Sequence, residues 1–142
     1  MHQGPIVIVD DDLDSHYLFE EALRNAGTTN ELKFFNNGMS AYHYLKDCTE
    51  FPMLIISDIT MPMEDGLDFR ALLNSTPEIR AKQIPFVLFT SSIDPHIQKQ
   101  LYETTVQGLF IKDMSFSDFK NKLKLIVTYW ANSVPFAYYA NS

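Results

Sequence analysis

Three carboxylates, a hydroxyl and an ammonium stand at the ends of four apolar runs in this chain, a set suited to a divalent cation and a phosphoryl group. Ile6-Val7-Ile8-Val9 runs into Asp10-Asp11-Asp12, and Met53-Leu54-Ile55-Ile56-Ser57 runs into Asp58. Phe86-Val87-Leu88-Phe89 ends in Thr90-Ser91, and Leu109-Phe110-Ile111 ends in Lys112. If the runs are parallel strands, their C-terminal ends share the edge where an open α/β sheet binds its ligand. Carboxylates crowded there repel, which raises at least one pKa. A hard cation removes the repulsion, and Mg²⁺ accepts carboxylate oxygens alongside waters and substrate phosphate. Phosphoryl transfer needs positioning and charge neutralisation more than a strong nucleophile, so a carboxylate can serve.

The elements that must position these groups can be read from the periodicity. Apolar runs alternate with segments of helical spacing, the pattern of a parallel sheet covered on both faces. The first strand is predicted over residues 5–10, and Leu18, Phe19, Ala22, Leu23 and Ala26 keep the spacing of a helix behind it. Asp12 and Asp14 read as caps of that helix, with Asp14 or Ser15 able to open it and Gly27 to end it. Residues 32–35 carry Lys33 between apolar neighbours and read as an edge strand. A helix comes next over 39–48. A central strand then begins after Pro52, and a helix opens at Asp65-Gly66 with Leu67, Leu72 and Leu73 inward and Pro77 at its far end. The fourth strand spans 84–89. Asp94-Pro95 starts a helix carrying Ile97, Leu101 and Tyr102, and Gly108 precedes the fifth strand. Ser115 caps a last helix whose stripe is Phe116, Phe119, Leu123, Ile126, Val127 and Trp130. The expectation is a five-stranded parallel α/β sheet with five helices.

Composition bounds the rest. With 142 residues, 46% hydrophobic and 20% charged, the chain reads as one ordinary globular domain. No apolar run approaches the roughly 20 residues that span a bilayer, and the first residues lack a signal-like pattern. The single Cys48 reads as a small core residue, and a free thiol fits a reducing, cytoplasmic compartment. A net charge of −7 argues against direct nucleic-acid binding, because phosphate contacts need clustered Lys and Arg. His2, His16, His43 and His96 lack metal-ligand spacing and read as surface or loop residues.

The ordered set of acidic pair, single Asp, Thr and Lys, each after its own strand, resembles the receiver domain of two-component response regulators. The stretch Asp-Ile-Thr-Met-Pro-Met-Glu-Asp-Gly, residues 58–66, looks like that family's phospho-acceptor loop, and the likeness spans about residues 5–130. The resemblance implies a flavodoxin-like fold with strand order 2-1-3-4-5. It implies Asp58 as phospho-acceptor, with Thr90 and Lys112 completing the catalytic set. Asp10, Asp11, Asp58 and the backbone carbonyl of Thr60 would hold Mg²⁺. It implies a sensor histidine kinase or phosphotransfer protein as donor, and signalling through protein contacts with a downstream protein or a second copy of the chain. Thr60 and Ser92 lie where the family tunes hydrolysis. On this reading residues 1–132 form the receiver domain and 133–142 an aromatic tail.

Two positions depart from the family pattern. Asp113 comes after Lys112 where the family has Pro, which leaves open whether that bond is cis or trans. Leu109 stands where the family has Tyr or Phe as partner of the threonine, and Phe110 next to it points to the opposite face. Two rival readings stay open. One is a receiver-like interaction module that is not phosphorylated. The other is a haloacid-dehalogenase-type phosphatase built on Asp10-x-Asp12, Thr90 and Lys112, in which Asp58 has no role.

Overall fold

The computed structural model describes residues 4–61, 65–112 and 115–134. Five strands form one parallel sheet: β1 (Ile6–Val9), β2 (Leu32–Phe35), β3 (Leu54–Asp58), β4 (Phe86–Thr90) and β5 (Gly108–Ile111). Their order is β2-β1-β3-β4-β5. Register is continuous, with Val9 opposite Ser57, Asp58 opposite Phe89 and Thr90 opposite Ile111. The polar residues that close the strands are therefore brought to one edge.

Strand residues alternate between the faces with period two. Ile6, Ile8, Leu54, Ile56, Val87 and Phe89 meet α1 (Leu13–Asn25) and α6 (Phe116–Ala131) on one side. Val7, Val9, Ile55, Phe86 and Leu88 meet α2 (Gly38–Asp47) and α3 (Gly66–Ser75) on the other. Phe89 centres the first layer. Its ring lies edge-on to Phe19 and Phe119 at 5.6 and 5.9 Å and stacks on Phe110 at 5.5 Å. Such pairs add about 0.5–1.5 kcal/mol each to the burial of their area. Phe110 and Leu109 join opposite layers, as their adjacency on β5 requires. β2 is the half-buried edge expected of it, and Lys33 pairs with Glu31 at 2.9 Å on its rim.

Helix starts agree closely with the sequence. Asp12 caps α1 by accepting from the Asp14 N–H, and Asp65 caps α3 by accepting from Asp68. Asp94 caps α5 (Pro95–Leu101) with Pro95 in its first turn, and Ser115 caps α6. Asn37 caps α2, a start that the apolar pattern alone placed one residue late.

Several expectations need correction. A sixth helix, α4 (Pro77–Arg80), comes after α3, so Pro77 opens a helix rather than only ending one. Its proline is at the first helical position, where the missing N–H costs nothing. Leu18, Phe116 and Tyr102 point outward, Tyr102 at 92% exposure. The buried stripe of α1 is His16, Phe19, Ala22 and Leu23, one step round the helix from Leu18. Phe69, absent from the expected core, is fully buried on α3. No described helix is long and apolar enough to cross a membrane. The Lys112–Asp113 bond and most of the aromatic tail lie outside the described residues.

Candidate functional site

The four strand ends converge. Asp10 lies just past β1 and is 1% exposed, Asp58 closes β3 with its side chain 11% exposed, and Lys112 lies just past β5 at 25%. The Lys112 Nζ lies 3.5 Å from both Asp10 Oδ2 and Asp58 Oδ1. Asp11 is exposed, yet one oxygen from each of Asp10, Asp11 and Asp58 falls within 4.8 Å of the others. Three carboxylates facing one ammonium leave the pocket with excess negative charge. That excess, in an all-oxygen donor set, fits a hard divalent cation.

Burial pushes Asp58 up to about 6, since desolvation disfavours its charged form. The Lys112 ammonium pulls against this, the neighbouring Asp10 pushes the same way, and the Thr60 N–H donates to the carboxylate and lowers it. Lys112→Gln removes the main counterweight, so the Asp58 pKa of the metal-free protein is expected to rise further. A carboxyl ¹³C titration reads this directly, and an unmoved midpoint would mean that the 3.5 Å approach carries no electrostatic weight.

Local structure holds each group. The Asp12 N–H donates to Asp10 Oδ1 at 3.0 Å, which turns the Asp10 carboxylate at the head of α1. Ile59 N–H donates to the Phe89 carbonyl at 3.1 Å, extending the ladder beyond Asp58. Gly66 N–H donates to the Ile59 carbonyl at 2.8 Å and closes the loop after the acid. Lys112 N–H donates to the Thr90 carbonyl at 2.8 Å. Thr90 is buried at the end of β4, and its hydroxyl donates to the Ser92 carbonyl at 2.7 Å. Thr60 is exposed, two residues beyond the acid.

His16 is a correction to the surface reading. It is buried on α1, its Nε2 lies 2.6 Å from the Asp10 carbonyl, and its ring packs against Phe34 at 5.2 Å. A carbonyl only accepts, so Nε2 carries the proton. His16 thereby ties the backbone of the first acid to α1. The signal available in the sequence was its place one turn before Phe19 on the buried stripe.

A family model described as the response regulator receiver domain matches residues 6–124. The chain belongs to the response regulator receiver family. This receiver is similar to response regulator Rcp1 of Synechocystis, 26% identical over 134 residues, 91% of this chain and 90% of that one. Its fold matches the phosphorylated cyanobacterial phytochrome response regulator RcpA with a TM-score of 0.80 at 26% identity, covering 94% and 97% of the two chains. The manganese-bound form of Rcp1 matches with a TM-score of 0.75 at 25% identity, covering 92% and 96%. Membership places the receiver in two-component signalling, and its sheet order is the one the resemblance implied.

Proposed function

We propose that this receiver accepts a phosphoryl group on Asp58 from the phosphohistidine of a sensor kinase or phosphotransfer protein. The observation that carries this reading is the approach of Lys112 to Asp10 and Asp58 at 3.5 Å across a three-carboxylate cluster. Asp10, Asp11, Asp58 and the Thr60 carbonyl would hold Mg²⁺, which would supply charge neutralisation for the phosphoryl oxygens. An Asp58 oxygen forms a bond to phosphorus, the phosphorus–nitrogen bond of the donor breaks, and its electron pair returns to the imidazole. Lys112 balances charge on the phosphoryl group from the β5 side. The manganese held by the related Rcp1 supports a divalent ion here.

Thr90 supplies the switch. Its hydroxyl now donates to the Ser92 carbonyl, and a phosphoryl oxygen offers a charged acceptor in its place. The exchange of partners occurs only in the phosphorylated state, so it gives that state a contact energy of its own and draws in the loop after β4. With Leu109 in place of an aromatic residue, the change travels through that loop and α5. The output is a protein contact, with a downstream protein or a second copy, in the cytoplasm.

Intact mass of the native chain and of Asp58→Asn, after a small phosphodonor with and without Mg²⁺, tests this. A phosphate-sized, Mg²⁺-dependent gain is expected on the native chain alone. No gain on the native chain, with Mg²⁺ bound, would instead favour the interaction-module reading. The phosphatase reading drops out with family membership over residues 6–124.

A further inference from the structure

The opposite edge of the sheet holds a second polar centre. A cavity of about 590 Å³ opens between α3, α4 and the N-terminal ends of β3, β4 and β5, far along the strands from Asp58. Its volume falls in the range of small-molecule pockets. Arg70 of α3 lines it and is 9% exposed. The Arg70 Nε donates to the Thr105 carbonyl at 2.6 Å, and Nη2 donates to Gln107 Oε1 at 3.3 Å. Its guanidinium lies over the Phe86 ring at 4.9 Å.

That leaves Nη1 without a protein partner among the described residues and open to solvent, where a ligand can reach it. No described carboxylate pairs with Arg70, so its charge meets only the Thr105 and Gln107 oxygens, the Phe86 face and solvent. Burial lowers its pKa to about 10, which leaves it positive at neutral pH. In a chain with 18 acidic and 11 basic residues, the cavity is lined by Arg70 and Arg80 and by no acid. The wall also has an apolar part. Trp130 and Gln107 are shared with an adjoining cavity of about 370 Å³, where Phe110 and the exposed Leu125 and Tyr129 supply the surface.

We propose that this edge is a ligand site for a small carboxylate with an apolar body, its head on Arg70 and its body against Trp130. Guanidinium and carboxylate match as a planar, charge-assisted pair, and the adjoining apolar wall takes the rest of the molecule. The site is separate from the acidic cluster in position and in sign of charge, so it stands whether or not Asp58 is phosphorylated.

Trp130 is the only tryptophan of the chain, so its emission reports occupancy of the full-length protein directly. The probe is 4-phenylbutyrate, with its uncharged amide as the matched control. A saturable change at millimolar carboxylate is expected, with the amide weaker by about tenfold or more, the worth of a charge-assisted hydrogen bond. Arg70→Gln is expected to reduce the carboxylate to the level of the amide. Because that change also removes the tie to Thr105, Ala81→Phe, on the exposed rim of the cavity, provides a second check by filling it. Equal binding of acid and amide, no saturable response to either, or undiminished binding by Ala81→Phe would each overturn the proposal.

Discussion

Asp58→Asn is expected to stabilise the metal-free receiver at neutral pH and to destabilise it relative to the native chain in millimolar Mg²⁺. The folded state holds the Asp58 proton up to about pH 6, against an ordinary value of 3.8. A carboxyl whose folded pKa lies above its unfolded pKa contributes stability fully below the unfolded value. It loses that contribution as pH rises through the folded value, because ionisation then costs more in the folded protein than outside it. At pH 7 that loss is nearly complete, and Asn, which cannot ionise, avoids it. Two pKa units would set a ceiling near 3 kcal/mol, and screening by water at a site open to solvent on one side reduces this to about 1–2 kcal/mol. The gain should shrink towards zero as pH falls below about 4, where both side chains are neutral.

Mg²⁺ is expected to reverse the order. Whatever binds only the folded state stabilises it in proportion to the logarithm of its concentration over its Kd. The native chain offers three carboxylates within 4.8 Å, whereas the variant offers two and a neutral amide. The thermal midpoints of the two proteins should therefore cross as Mg²⁺ is added at neutral pH. Parallel curves that never cross would mean that the cluster does not hold the metal, even if Asp58 accepts phosphate by another route.

Much of this site was legible because its chemistry is written at strand ends. A run such as Ile6 to Val9, buried throughout, fits an interior strand, and the polar residues just past its end then belong at the sheet edge. The caps at Asp65, Asp94 and Ser115 were legible for a similar reason, since each is a short polar side chain placed before a periodic stretch. The four-residue α4 was not, because one turn shows no period. His16 and Arg70 were missed for a different reason. Polar side chains read as solvent-facing until their partners are known, and those partners lie on other elements: the Asp10 carbonyl for one, Thr105 and Gln107 for the other. Leu18 was misplaced by one step of helix rotation, which spacing alone cannot fix when His16 completes the true stripe.

Gly66→Ala is expected to cost more stability than any other single methyl added at a glycine among the described residues. Gly66 opens α3, and its backbone is not in the left-handed region, so the constraint is space rather than conformation. A Cβ there would overlap the backbone carbonyl oxygen of Asp58, and would lie 3.1 Å from both the Asp58 carbonyl carbon and the Ile59 Cα. These are backbone atoms held by β3 and its ladder to β4, so no side chain can move aside. Either α3 retreats, loosening the buried Leu67 and Phe69, or the end of β3 shifts and takes Asp58 with it. Overpacking of this kind against rigid backbone costs about 3 kcal/mol or more. Gly27 provides the contrast. Its φ of +91° strains an alanine by about 1 kcal/mol, but no atom lies within 4 Å of the new methyl. Thermal unfolding of the two variants should thus separate by several-fold in free energy, with phosphate acceptance impaired in Gly66→Ala alone. Equal midpoints, or a Gly66→Ala protein with native Mg²⁺ affinity, would mean that the glycine packed against the end of β3 does not set the position of Asp58.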